Sequence, residues 1–224
     1  MRQPPLRLAI LLSGGGTTLQ NLIDHIEAGT LEAAIVVVIA SRPDVYGLER
    51  AKKHHLEAIC IPRRAYRDIK AYDDELNQTL DRYRPDLIAL AGYLHPFRFA
   101  PHFHGRVMNI HPALIPAFCG KGFYGLRVHQ AVLDYGVKVT GCTVHFADEE
   151  YDHGPIILQR TVPVLGDDTP ESLAERVAVE ERKAYPEAIQ LFAEGRLKIE
   201  GRRVRILGAI PSPFSLPGGE GGEG

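Results

Sequence analysis

The chain has 224 residues, 45% of them hydrophobic and 24% charged, with a formal net charge of −2. That length suits one α/β domain followed by a tail, and the charge balance excludes the basic footprint of a nucleic-acid-binding protein. The basic pairs Lys52-Lys53, Arg63-Arg64 and Arg202-Arg203 are scattered and read as solvated faces, while Cys60, Cys119 and Cys142 match no zinc spacing and read as reduced thiols of a cytoplasmic protein.

The first apolar run, Leu6–Leu12, lies between Pro5 and Ser13 and predicts a buried strand. It stops in a glycine-rich turn with no cleavage pattern, so it is not read as a signal peptide. No segment approaches the ~18 apolar residues of a membrane span. Leu19, Leu22, Ile23 and Ile26 recur at helical spacing and predict a helix over 18–27, stopped near Gly29. A Val- and Ile-rich strand follows over 33–40, then a helix over 46–54, a strand over 58–61, a helix over 71–83 closed by Pro85, and strands over 87–91 and 106–110. This alternation predicts a doubly wound, mostly parallel sheet with helices on both faces.

Beyond Ile110 the rhythm changes. Residues 111–124 are irregular, and 126–134 predict a helix. Strands at 138–146 and 156–163 are joined by an acidic loop, and a long helix over 170–194 opens at Thr169-Pro170-Glu171. A terminal hairpin over 197–206 completes the antiparallel part. Residues 208–224, rich in Gly and Pro, read as a disordered tail. The expected organisation is a single domain over 1–207, with a phosphate-binding half up to about 105 and a catalytic, ligand-binding half after it.

Ser13-Gly14-Gly15-Gly16-Thr17-Thr18 joins the first strand to the first helix. Such a turn offers backbone N–H groups at a helix N-terminus, where an anion is favoured; a plain tight turn that binds nothing is the alternative. Leu19-Gln20 stands where an ATP-binding loop needs Gly-Lys-Ser/Thr, and Ser41-Arg42 ends the second strand where an NAD site needs an acid. A monophosphate therefore fits better than NAD or ATP.

Asn109-Ile110-His111-Pro112 ends the fifth strand, where doubly wound sheets bind ligands. Asn109 and His111, two apart, face one side. An amide beside an imidazole can hold a developing oxyanion and move a proton; a histidine before proline that is only a hydrogen-bonded loop residue is the alternative. Asp152, in the loop Glu149-Glu150-Tyr151-Asp152-His153-Gly154, supplies a carboxylate able to orient an imidazole and raise its pKa; an ordinary acidic hairpin loop is the alternative. Thr143 and His145 share one strand face, and His145 fits a core position as well as a site position.

Asn-x-His-Pro-x-Leu-x-Pro, then Thr-Val-His-Phe, then Asp-x-Gly-Pro-Ile-Ile occur here in order. In this succession the chain resembles the folate-dependent glycinamide ribonucleotide formyltransferases of purine synthesis, over about 6–197. The resemblance implies formyl transfer from 10-formyltetrahydrofolate, a co-substrate, to the amine of glycinamide ribonucleotide, with no metal, NAD or ATP. It also implies a cytoplasmic protein without nucleic-acid or membrane partners, and it is compatible with a homodimer. Asn109, His111 and Asp152 would be the catalytic set. Gly14, Gly16, Thr17 and Thr18 would hold the phosphate, and Glu181 would contact the same substrate. Leu94, His95, Pro96 and Phe97, with Asn109, Glu149, Glu150, Tyr151 and Asp152, would bind the folate. The bond between Ile115 and Pro116 would be cis.

The chain departs from that pattern at Thr18, where Asn is common, and over Leu94-His95-Pro96-Phe97. At Ile69 an arginine would be expected, and Arg67 is the nearest substitute. Residues 119–124 read as an insertion. Methionyl-tRNA formyltransferases carry a further C-terminal RNA-binding domain and formyltetrahydrofolate deformylases an extra N-terminal one; the chain's two ends are expected to leave room for neither.

Overall fold

Neighbouring hydrophobic residues along the first strand, β1 (Leu6–Leu12), go to opposite sides. Leu8, Ile10 and Leu12 join one core cluster; Ala9 and Leu11 join another. A strand buried on both faces needs helices on both, and the rest of the chain supplies them. The protein is described by a computed structural model over residues 4–208. The expected tail lies outside the described residues, apart from Gly208. In chain order β1 is followed by α1 (Thr17–Glu27), β2 (Ala33–Ala40), α2 (Tyr46–Lys53), β3 (Ala58–Cys60), α3 (Ile69–Tyr83), β4 (Leu87–Leu90) and β5 (Val107–His111). Then come α4 (Leu126–Tyr135), β6 (Val139–Phe146), β7 (Ile156–Pro163), α5 (Pro170–Ala193), β8 (Leu197–Glu200) and β9 (Arg203–Ile206).

Among the described residues the strands form one nine-stranded sheet in the order β3-β2-β1-β4-β5-β6-β7-β9-β8. β3, β2, β1, β4 and β5 run parallel. β6 is antiparallel to both β5 and β7, and the β8–β9 hairpin joins β7 at the single pair Ile156↔Arg203. The expected mostly parallel sheet with antiparallel C-terminal strands is therefore present. Strand order reverses between β1 and β4, so ligands are expected beyond the carboxyl ends there. Leu19 and Leu22 of α1 and Ala184, Ala188 and Ile189 of α5 pack on one face; Tyr72, Leu76 and Leu80 of α3 pack on the other. Each fully buried Leu or Ile contributes roughly 1.5–3 kcal/mol.

Most element boundaries fall within a residue or two of expectation, and three of the shifts bear on the site or have a visible cause. α1 begins at Thr17, directly after the left-handed Gly16 (φ 73°). α3 begins at Ile69 because the Asp68 side chain caps it, accepting from Lys70 N at 3.2 Å. β5 runs one residue further, so His111 is a strand residue paired with Thr143.

α5 continues through Pro186, which has no N–H to give the carbonyl four residues back. That carbonyl, of Arg182, instead accepts from Asn21 Nδ2 of α1 at 3.0 Å. The buried Tyr185 hydroxyl reaches the carbonyls of Leu90 (3.1 Å), the last residue of β4, and Met108 (2.9 Å) in β5, fixing α5 to both strands.

Candidate active site

Strand register places Asn109 opposite His145 and His111 opposite Thr143. The loop between β6 and β7 then brings Asp152 over the same spot. It does so with φ 53° at Asp152, a left-handed conformation uncommon for a residue with a side chain. Asn109 Nδ2 donates to Asp152 Oδ1 at 3.1 Å and to His145 Nε2 at 3.2 Å. Asp152 Oδ2 accepts from the Gly120 N–H at 2.9 Å and lies 3.4 Å from His111 Nδ1. His111 is 3% exposed.

The partner atoms assign the ring protons. His111 Nε2 meets the Phe118 carbonyl at 2.9 Å, and a carbonyl only accepts, so Nε2 carries hydrogen. His145 Nδ1 meets the Phe146 carbonyl at 2.8 Å and carries hydrogen for the same reason. His145 Nε2 is then free to accept from Asn109. It fixes the direction of the amide rather than acting as a second acid.

Burial lowers the proton affinity of His111, and the nearby His145 adds a smaller push in the same direction; the Asp152 carboxylate and the Phe118 carbonyl oppose it, and burial prevails. For Asp152 burial pushes the pKa up. The imidazoles of His145 and His111 and the Gly120 N–H outweigh it, so the carboxyl stays below its ordinary range. The pair is thus a held carboxylate beside an imidazole that gives up its proton readily.

Thr143 is fully buried. Its hydroxyl donates to the Ala113 carbonyl at 2.7 Å and accepts from Ile115 N at 3.1 Å and Gln159 Nε2 at 2.9 Å. It clamps the turn after His111, where the Ile115–Pro116 bond is cis. Residues 119–124 are more than an insertion, because Gly120 supplies the N–H that holds Asp152.

A cleft opens beside this centre. His95, Pro96 and Phe97 line it from the segment after β4, and Glu149, Glu150, Tyr151 and Asp152 from the β6–β7 loop, with Asn109 and His145 at the strand ends. Leu94, expected there, does not line it: its side chain is half exposed, and its N–H is bound by Ser13 Oγ at 3.0 Å. Tyr93, Arg98, Phe99 and Asp148 line the cleft and were not anticipated. Their signal was weak, since each reads locally as an ordinary loop or core residue.

A second pocket lies between α1 and α5, lined by Thr17, Thr18, Asn21, Ala178, Glu181 and Arg182. Gly14 and Gly16 do not line it but shape the loop. The Gly14 carbonyl accepts from Gly47 N at 3.2 Å, and a Cβ on Gly16 would lie 2.7 Å from Gly47 Cα. The Glu181 carboxyl is pushed up to about 7 by burial, with Arg182 pulling the other way. Asn21 and Arg182 were missed, although a proline within a helix flags the free carbonyl that joins them. No cluster of potential metal ligands occurs among the described residues.

Comparison with known proteins agrees with this geometry. A formyl transferase family model matches residues 6–189. The chain is 47% identical to the crystal structure of glycinamide ribonucleotide transformylase 1 from Symbiobacterium toebii, with a TM-score of 0.85, covering 92% of this chain and 96% of that one. It is 36% identical to phosphoribosylglycinamide formyltransferase of Escherichia coli, covering 87% of this chain and 90% of that protein. It is 41% identical to the bovine trifunctional purine biosynthetic protein adenosine-3, covering 89% of this chain but spanning only 19% of that protein's length. The chain belongs to the formyl transferase family and, within it, to the phosphoribosylglycinamide formyltransferases.

Proposed function

We propose that the protein transfers the formyl group of 10-formyltetrahydrofolate to the amine of glycinamide ribonucleotide in purine synthesis, giving the formamide and tetrahydrofolate. The observation that carries this reading is the convergence of Asn109, His111 and Asp152, with Asn109 Nδ2 3.1 Å from Asp152 Oδ1 and His111 Nδ1 3.4 Å from Asp152 Oδ2. The cleft beside them offers aromatic side chains and acidic groups to a folate head, and the α1–α5 pocket offers helix N–H groups to a phosphate.

In this reading the substrate amine attacks the formyl carbon, and negative charge grows on the formyl oxygen. Asn109 and His111 stabilise that charge, Asn109 by turning an N–H from Asp152 toward it. The amine gives up one proton, taken up through Asp152, and the folate nitrogen gains one as it leaves. Holding two substrates side by side supplies much of the acceleration. Thr17 and Thr18 bind the phosphate in the loop that Gly14 and Gly16 shape, and Glu181 binds elsewhere on the same substrate. All these residues come from one chain, and the reaction as proposed draws on no metal and no nucleotide cofactor. A cytoplasmic setting accords with the free cysteines Cys60, Cys119 and Cys142.

The test is to follow folate absorbance in metal-free buffer with and without glycinamide ribonucleotide. Amine-dependent loss of the formyl group, abolished in His111→Ala, is the expected result. Loss that ignores the amine would make the protein a hydrolase and overturn the reading.

A further inference from the structure

The loop that carries Asp152 is tied to a part of the chain far away in sequence. Arg202 lies at the turn of the β8–β9 hairpin, beyond the 6–189 stretch that matches the family model. Its Nη1 is 2.9 Å from His153 Nε2, and its Nη2 donates to the His153 carbonyl at 2.6 Å. His153 Nδ1 in turn lies 2.7 Å from Asp148 Oδ2, and Asp148 Oδ1 accepts from Glu150 N at 3.0 Å. A guanidinium only donates and a carboxylate only accepts, so the ring is the neutral tautomer with hydrogen on Nδ1. One imidazole thus joins Arg202 to Asp148 across both ends of the loop, immediately beside Asp152. Asp148 itself lines the cleft.

We propose that Arg202 and His153 are positioning residues: together with Asp148 they form a strap by which the C-terminal hairpin holds the 148–153 loop in the shape that presents Asp152 and closes the folate cleft. The proposal rests on the reading of that cleft as the folate site. The loop needs such a fastening. Asp152 adopts φ 53°, and a left-handed residue persists only where its surroundings over-determine it. Gly154 closes the loop so tightly that a Cβ there would meet the Phe146 carbonyl oxygen at 1.9 Å, so the loop cannot relax on that side. Arg202 is suited to the task because its fork meets a ring nitrogen and a carbonyl of the same residue at once; a lysine can satisfy one of them at a time.

The test uses the full chain and the variants Arg202→Ala, Arg202→Lys, His153→Ala and the double variant Arg202→Ala/His153→Ala. Amide hydrogen exchange over 148–153 and calorimetric binding of 10-formyltetrahydrofolate are measured on each, with far-ultraviolet circular dichroism as the folding control. Arg202→Ala is expected to speed exchange in the loop and weaken folate binding about three- to tenfold, the scale of one lost hydrogen-bonding contact. Arg202→Lys falls between it and wild type. The double variant is no worse than the worse single one, the mark of one coupled unit. KM for folate should rise while KM for glycinamide ribonucleotide stays, a split that general loosening does not produce. Unchanged loop exchange in a folded Arg202→Ala, or additive losses in the double variant, would overturn the strap. If the wild-type protein bound folate yet transferred no formyl group, the functional reading would fail while exchange and binding still decided the strap.

Discussion

Asp152 Oδ2 stands 3.4 Å from His111 Nδ1, with the Gly120 N–H holding the same oxygen at 2.9 Å. The carboxylate therefore has a fixed position and a fixed charge before any substrate arrives. Asp152→Asn keeps the size of the side chain but removes the charge that stabilises a proton on His111. Folding and folate binding are expected to persist, while kcat falls by about 10²- to 10⁴-fold, the range for lost acid–base assistance. Steady-state kinetics with a circular dichroism control checks this; wild-type kcat would remove Asp152 from the reaction.

Asn109 and His111 were legible because two residues apart on a strand must share a face, and the apolar runs read correctly because a strand buried on both sides has no polar alternation. Asp152 was legible as a residue type but not as a geometry. Its left-handed backbone and its bond to Gly120 depend on where residues 119–124 return, which local patterns do not encode. His145 was ambiguous for a similar reason: its role follows from the Phe146 carbonyl fixing its tautomer. Leu94 read as a cleft residue by its position in a motif, yet its N–H is taken by Ser13 and its side chain faces outward.

Glu181 gives a pH signature. Its carboxyl is raised from an ordinary 4.5 to about 7 by burial, so the folded state favours the neutral acid. That contribution to stability is complete below the unfolded value and is lost as pH rises through about 7. Glu181→Gln should match wild type in Tm at pH 5 and exceed it at pH 8. Parallel Tm profiles for the two proteins would show that Glu181 does not titrate in this range.

Gly16 has φ 73°, and its missing Cβ is the space that Gly47 occupies 2.7 Å away. Gly16→Ala must move the loop or strain it, at a cost of about 1–3 kcal/mol. Chemical denaturation should show that loss. The altered loop should raise KM for glycinamide ribonucleotide and leave KM for folate nearly unchanged. A rise confined to folate would place the phosphate elsewhere.

Thr143 is fully buried and serves the Ala113 carbonyl, Ile115 N and Gln159 Nε2 at once. Thr143→Val keeps its shape and strands those partners, so unfolding free energy should drop by roughly 2–4 kcal/mol, since each buried group left unmet costs about 1–3. A denaturant midpoint equal to wild type would show that the clamp is dispensable.

The most direct measurement follows the formyl carbon itself. Wild-type protein is incubated with 10-formyltetrahydrofolate carrying ¹³C in the formyl group and with glycinamide ribonucleotide in metal-free buffer, and the products are read by NMR. The account predicts the label in a new formamide on the glycinamide nitrogen, one for each tetrahydrofolate formed. Labelled formate appearing in its place, with the amine unchanged, would contradict it.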